Sequence, residues 1–408
     1  MLHKMRQDQE SPARVLFLDH TAKIGGGEIA LLNLVRHLDT RFTQPIVLLF
    51  AEGQLAERLR LYADTYVLPL ENSVATAPKD RLGWRSLLQL KAVWLVLRQI
   101  WRVARFARRL RVDIIHTHSL KSDVIGGLAA RLAGIPVIWH VRDRIETDYL
   151  PVSVVRVFRF LSRIVPNFVI ADSGAVLSTL RPNTVINHSA EAPTKLKKSR
   201  SCVVHEGCVV EDLRDPSRKS DGVARIGLIG RISPWKGQHI FIEAAALLSK
   251  HHPLAKFEII GAPLFSERDY ETSLHALCRK LKIEESIEFV GFVDDVRSRI
   301  TELDIVVHAS TIGEPFGQVI IEGMAEQKPI VATNGGGVPE IVVDGVTGIL
   351  VPMGDAPRMS QAIDYLLRNP EIADQMGRLG RERVQAQFTI QKTARLVEGV
   401  YRRVLGYV

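Results

Sequence analysis

At 408 residues the chain is longer than one hydrophobic core usually grows, so two domains of about 200 residues each are expected. Apolar residues make up 46% and charged residues 24%, which excludes a disordered or fibrous chain. Three cysteines, Cys202, Cys208 and Cys278, exclude a disulfide framework, and a net charge of +9 suits nucleic acid, an anionic membrane or a phosphate-bearing substrate without choosing among them.

Nothing at the N-terminus resembles an apolar signal-peptide core, and runs such as Ala92 to Leu97 fall far short of the ~20 residues needed to span a bilayer. The expected compartment is the cytoplasm. From the N-terminus, short β-branched runs at Val15-Leu18, Ile46-Leu49, Asp113-Ile115, Pro136-Ile138 and Phe168-Ile170 alternate with amphipathic stretches. That alternation predicts a parallel sheet covered by helices. It resumes at Ile226-Ile229, Phe257-Ile260, Ile287-Phe289, Ile305-Val307 and Ile330-Ala332, predicting a second α/β unit. Between the halves, His188 to Val223 is polar and charged and reads as the linker region. After Gly380 a helical pattern runs through Leu396, Val400 and Tyr401, and periodicity does not assign its docking site.

The first strand runs into Lys23-Ile24-Gly25-Gly26-Gly27-Glu28, with Ile29, Leu32, Leu34, Val35 and Leu38 reading as the following helix. Three glycines let backbone approach a ligand, and the helix start behind them offers free N–H groups to an anion. The spacing is not G-x-G-x-x-G, so a plain tight turn is the competing reading.

From Arg85 to Arg111 there are eight cations and no acid. At helical spacing Lys91, Arg98, Arg102, Arg105 and Arg109 form one stripe flanked by Trp94 and Trp101, with the aliphatic residues beyond. This suits an interfacial helix on anionic lipid, or a core-packed helix with a solvated basic face.

Ile114 to Ser119 ends a strand at the edge where open α/β sheets bind ligands, with His116 and His118 on one face. Two such histidines suggest metal ligands, but no third ligand follows at convincing spacing, and His116 reads as a core histidine. His140, ending the next strand before Arg142-Asp143-Arg144, is a further candidate for the same edge. Cys202, His205 and Cys208 have C-x2-H-x2-C spacing, a three-ligand pattern that reads as ordinary packing near the linker.

The second half opens with Gly230-Arg231-Ile232-Ser233-Pro234-Trp235-Lys236-Gly237 between a strand and a helix. A planar guanidinium and a compact ammonium five residues apart suit a diphosphate. Farther on, Glu314 and Glu322 lie eight apart, the first just before a helix and the second about two turns in, so both could border one ligand.

Gly230-Arg231 with Lys236-Gly237, Glu314-Pro315-Phe316-Gly317 with Glu322, Gly336 to Glu340, and Asp344-Gly345-Val346-Thr347-Gly348 together resemble the retaining glycosyltransferases of family 4. The resemblance is specific over the second half and looser in the first. It implies an α/β GT-B architecture, two Rossmann-like domains facing across a cleft. The expected division is residues 1–205 on the acceptor side, 206–385 for the nucleotide-sugar, and a helix over 386–408 for which a return to the first domain is one placement. By resemblance, Arg231 and Lys236 bind the donor diphosphate, Glu314 contacts the sugar and Glu322 binds the ribose. Phe316 and Gly317 offer backbone N–H groups, Gly25 and Gly26 form the first-domain glycine loop, and His118 lies beside the donor sugar. Catalysis then rests on Arg231, Lys236, Glu314 and His118. No metal or resident cofactor is expected; the donor is a UDP- or GDP-sugar. Where the family usually has a small residue and a glycine after Met324-Ala325, this chain has Glu326-Gln327-Lys328, which is expected to alter a helix end and not the chemistry.

The partners so implied are a nucleotide-sugar and a hydroxyl acceptor that is a saccharide or lipid-linked saccharide, in bacterial envelope or exopolysaccharide assembly. The basic helix over 85–111 would hold the protein peripherally on the inner face of the membrane. A sugar-nucleotide epimerase or hydrolase on the same fold is the nearest rival. A basic nucleic-acid-binding protein would leave Glu314 and Glu322 unexplained, so no nucleic acid partner is expected.

Overall fold

The computed structural model describes residues 11–70, 87–148, 150–182, 199–213, 222–264 and 267–407. The chain forms two compact units, one of Met1–Glu206 with Ile390–Val408 and one of Gly207–Thr389.

The first unit runs β1 (Ala13–Asp19), α1 (Gly26–His37), β2 (Thr43–Leu49), α2 (Gln54–Leu59), β3 (Asp64–Val67), α3 (Leu87–Arg109), β4 (Ile114–Thr117), α4 (Leu120–Ala133), β5 (Val137–Val141), α5 (Val152–Ile164), β6 (Phe168–Ala171), α6 (Gly174–Leu180) and β7 (Ser201–Val203). Its strands pair in parallel in the order β3-β2-β1-β4-β5-β6-β7. They are apolar on both faces because helices cover both. Leu16, Leu18, Ile46 and Leu48 enter one core layer, and Val15, Phe17, Val47 and Leu49 the other.

The second unit repeats the scheme with β8 (Arg225–Ile229), a 3₁₀ turn (Pro234–Lys236), α7 (Gln238–Leu248), β9 (Lys256–Ile260), α8 (Arg268–Leu281), β10 (Ile287–Gly291), α9 (Val296–Thr301), β11 (Ile305–His308), α10 (Gln318–Ala325), β12 (Ile330–Thr333), α11 (Val338–Ile341), β13 (Ile349–Val351), α12 (Ala356–Arg368) and α13 (Pro370–Gln387). The order is β10-β9-β8-β11-β12-β13, again parallel. In each sheet the order reverses at the first strand, between β1 and β4 and between β8 and β11. Loops leaving the carboxyl ends of those pairs diverge to opposite faces and leave a crevice there.

The last helix, α14 (Ile390–Leu405), returns to the first unit. Ala394, Val397, Val400 and Tyr401 pack with Val15, Phe17 and Leu34. Glu398 accepts hydrogen bonds from Asp39 N at 2.7 Å and Thr43 Oγ1 at 3.3 Å.

Three strands escape the sequence reading: β3, β7 and β13 are only three or four residues long. Strand β7 lies inside the segment expected to be linker, and pairing with β6 makes it part of the first sheet; residues 188–198 and 214–221 of that segment lie outside the described residues. At the altered end of α10, Gln327 takes the left-handed position at φ 56°, where the family's glycine would sit without strain. No helix among the described residues is long and apolar enough to cross a membrane.

Tyr401 is fully buried and its hydroxyl lies 2.7 Å from His116 Nδ1. Tyr401→Ala therefore lowers stability by about 3–5 kcal/mol, as for other large aromatics in cores. Tyr401→Phe, which loses only the hydrogen bond, costs about 1 kcal/mol. Urea unfolding of both variants reads the difference.

Candidate functional site

The Gly207–Thr389 unit builds its site from the two loops at its switch point. After β8 the backbone turns at Gly230 (φ 155°), passes Arg231 and the 3₁₀ turn, and enters α7 through Gly237 at φ 74°. A Cβ on Gly237 would stand 1.9 Å from the carbonyl oxygen of Ala309, so the loop after β11 passes directly against it. Thr311 N donates to Trp235 O at 2.8 Å and ties the loops together. Buried Gln238 braces the turn from inside by donating to Arg231 O at 2.9 Å.

This closeness brings Lys236 and Glu314, 78 residues apart in sequence, into an ion pair with Nζ 2.8 and 3.0 Å from the two carboxylate oxygens. Ser310 Oγ donates to the same carboxylate at 2.8 Å, and His308 Nε2 lies 3.2 Å from it. Thr333 in turn contacts His308 Nδ1 at 3.2 Å. Burial alone would raise the Glu314 pKa, but the Lys236 ammonium and His308 outweigh it and hold the carboxyl well below its usual range. The Lys236 ammonium also sits 4.3 Å from the centre of the Trp235 ring. Glu314 is fixed through its backbone as well: its carbonyl accepts from Gly337 N at 2.8 Å, and a Cβ on Gly336 (φ 63°) would come within 1.9 Å of that oxygen.

Arg231 stands exposed on the same loop, its Nε 3.4 Å from Glu267. Phe316 is buried against Phe388, and Gly317, at φ 126°, opens α10. Because Pro315 to Gly317 stay outside the helix, Glu322 lies little more than one turn in, not two. Its single side-chain partner among the described residues is Gln318 Nε2 at 3.4 Å, and burial pushes its pKa up to about 7.

The first unit builds a second cluster at its own switch point. His116, His118 and His140 are all buried at the carboxyl edge of β4 and β5, and their ligand-capable atoms lie within 4.8 Å of one another. The sequence offers His140 as a candidate for the same edge, and it reaches the other two because β5 pairs beside β4. Among the described residues this is the grouping with metal-chelating separations, and Cys202, His205 and Cys208 do not form one. Apart from the Tyr401 contact at His116 Nδ1, five of the six ring nitrogens have no hydrogen-bond partner there. Burial, with Arg142 nearby, holds all three rings well below the usual histidine range, so they are neutral at pH 7.

Arg142 donates to Glu206 at 2.6 Å and to Gly27 O at 3.1 Å, fastening the glycine loop. Cβ atoms on Gly26 and Gly27 would meet nothing within 4 Å, whereas one on Gly25 would lie 2.8 Å from a Glu28 carboxylate oxygen. Burial and the neighbouring Asp19 carboxylate push Glu28 up to about 7. The loop thus presents open backbone beside a partly protonated acid.

On α3 the basic stripe is not uniformly solvated. Arg102 is half-buried and donates to Pro69 O and Gln99, while Trp94, Leu97 and Trp101 are each more than half exposed. Arg98 lies 5.4 Å from the Trp94 ring and Arg105 5.3 Å from the Trp101 ring. The aliphatic Leu97 therefore shares the outer face with the cations, contrary to the helical-wheel expectation. Arg85 and the Lys91 side chain lie outside the described residues.

Residues 209–383 match the family model described as Glycosyl transferases group 1, and residues 24–189 match Glycosyltransferase Family 4. Alpha-D-kanosaminyltransferase of Streptomyces kanamyceticus is 25% identical over 86% of this chain and 91% of its own length. YtcC of Bacillus subtilis is 33% identical, but the match spans only 47% of this chain and 49% of that protein. The crystal structure of HepE from Anabaena in complex with UDP and glucose superposes with a TM-score of 0.79 at 25% identity, covering 96% of this chain and all of that one. The two parallel-sheet units are those of the GT-B fold.

Glu322 generates a pH test. A carboxyl raised from 4.5 to about 7 on folding is destabilising once it must ionise, so the folded state loses stability as pH rises between those values. Relative to wild type, Glu322→Gln should gain in urea midpoint across that window. Parallel curves for the two proteins would remove the assignment of a carboxyl held protonated by its surroundings.

Proposed function

Because the chain is a glycosyltransferase of the family 4 type, we propose that it transfers a sugar from a UDP- or GDP-linked donor to a hydroxyl acceptor with retention at the anomeric carbon. The observation that carries this reading is the convergence of Lys236 on Glu314, with Arg231 on the Lys236 loop and Glu322 on the helix that the Glu314 loop opens. A departing nucleoside diphosphate develops negative charge, and Arg231, Lys236 and the α10 N-terminus are fixed donors for it. Two permanent cations supply the neutralisation that a divalent ion would otherwise give, so the reaction is assigned as metal-independent. Glu322 takes the ribose hydroxyls and Glu314, once Lys236 turns to phosphate, accepts from the transferred sugar. Backbone N–H groups at Phe316 and Gly317 border that sugar.

In the first unit, His118 is the residue assigned to a sugar hydroxyl. A neutral imidazole with both ring nitrogens unpartnered among the described residues can donate to or accept from a sugar hydroxyl. Gly26 presents open backbone in the same unit, whereas Gly25 faces the Glu28 carboxylate. HepE, whose structure holds UDP and glucose, supports a uridine donor by likeness. A saccharide acceptor carried on a lipid, in polysaccharide assembly, is supported by the outer face of α3, where tryptophans and arginines alternate as on interfacial helices.

Calorimetric titration of UDP, GDP and ADP in the presence of EDTA tests the donor site. One nucleotide should bind, and Arg231→Ala, Lys236→Ala and Glu322→Ala should each weaken it by roughly ten- to a hundredfold, as for lost charged hydrogen bonds. Unchanged affinity in all three variants would contradict the assignment.

A further inference from the structure

Helix α5 presents a second surface that the transfer reaction does not use. Its inner side, Val155, Phe158 and Ser162, is buried, while Val157, Phe160 and Ile164 on the opposite side are 56%, 61% and 52% exposed. These three recur at helical spacing and form one apolar stripe, with Arg156 and Arg163 flanking it two turns apart. Helices α3, α4 and α5 all pack on one face of the first sheet, since Val103, Ala129 and Phe158 share a core with Leu16 and Trp139. Their outward sides, including exposed Trp94, Trp101 and Leu132, therefore belong to one layer of the first unit.

Beside the end of α5 lies a cavity of about 240 Å³ lined by Arg163, Arg181, Pro182 and Arg200. Arg131 already holds the last carbonyls of α5, donating to Ile164 O and Val165 O at 2.8 Å each, so Arg163 is not needed as a helix cap. Arg181 is anchored by one nitrogen to Ser201 Oγ at 2.8 Å, and its Nε is buried with no hydrogen-bond partner. Arg200 is anchored to Pro166 O at 2.8 Å. Among the described residues no carboxylate pairs with any of the three, and the charges that bear on Arg181 are the cations Arg200 and Arg163. Three guanidiniums brought together with no carboxylate beside them among the described residues repel one another, and a planar fork with free donors is the side chain best matched to phosphate oxygens.

We propose that this cavity holds the phosphate of an anionic phospholipid headgroup while Val157, Phe160 and Ile164 enter the acyl boundary beside it. Apolar side chains flanked by arginines, next to an uncompensated cationic cavity, fit a lipid that offers both chemistries at one depth. The site deepens the membrane-side reading of the acceptor and is separate from the donor loops.

The test is sedimentation with vesicles of phosphatidylcholine, with and without phosphatidylglycerol, together with thermal shift by glycerol phosphate. Arg163→Gln, whose side chain makes no hydrogen bond among the described residues, should lower binding to the anionic vesicles roughly fivefold at unchanged melting temperature and UDP affinity, and Arg181→Gln should lower it similarly with a small drop in melting temperature from the lost Ser201 contact. Phe160→Ser should lower it as well. Wild-type sedimentation by the Arg163→Gln, Arg181→Gln double variant overturns the proposal; if Arg98→Glu with Arg105→Glu still abolishes binding, the α3 reading survives without the cavity. Stabilisation by glycerol phosphate that depends on Arg163 and Arg181, with no vesicle binding, also overturns it in favour of a soluble phosphate ligand.

Discussion

The ion pair between Lys236 and Glu314 joins the two loops that leave the switch point of the second sheet, and the surrounding geometry depends on it. Sheet order alone places those loops side by side. What brings them to contact distance is Gly237 against Ala309, and Gly336 on the loop after β12 packs as closely against Glu314; at either glycine any side chain would collide with backbone. The charges then face each other across 2.8 Å in a largely buried setting. There, removing one partner leaves the other uncompensated at a cost of several kcal/mol. Ser310 and His308 complete the environment of the carboxylate, so that it stays ionised despite burial.

That arrangement has a consequence for binding. Lys236 is neutralised internally by Glu314. On the proposed function, a diphosphate entering the loop would compete with Glu314 for the ammonium and release the carboxylate to hydroxyls of the attached sugar. Glu322, by contrast, has only a weak contact with Gln318, and burial favours its protonated form, so vicinal hydroxyls gain most there. In the first unit the neutral histidines at β4 and β5 leave polar nitrogens unpaired at the matching edge of the sheet. Each unit thus keeps unsatisfied polar groups where its strand order reverses, as open α/β folds do at ligand sites.

Much of this was legible in the sequence because it is local. Ten β-branched runs anticipated ten of the thirteen strands among the described residues, and the spacing of Arg231, Lys236, Glu314 and Glu322 pointed to the two loops and the first turns of α10. What was not legible depends on neighbours across the sheet. The distances that group His140 with His116 and His118 come from β4–β5 pairing, and Glu267 meets Arg231 only through the approach of separate loops. Strand β7 was hidden because three residues at a sheet edge carry too little periodicity, and its polar surroundings read as linker. The start of α10 was misplaced by three residues because the chain bends through Pro315 and Phe316 and passes Gly317 at positive φ before the helix begins.

A crystal structure of the protein with UDP tests the central claim most directly. The account predicts density for the diphosphate against Lys236 and Arg231, the ribose at Glu322, and the 2.8 Å contact between Lys236 and Glu314 opened. A nucleotide bound elsewhere, with that ion pair intact, would contradict it.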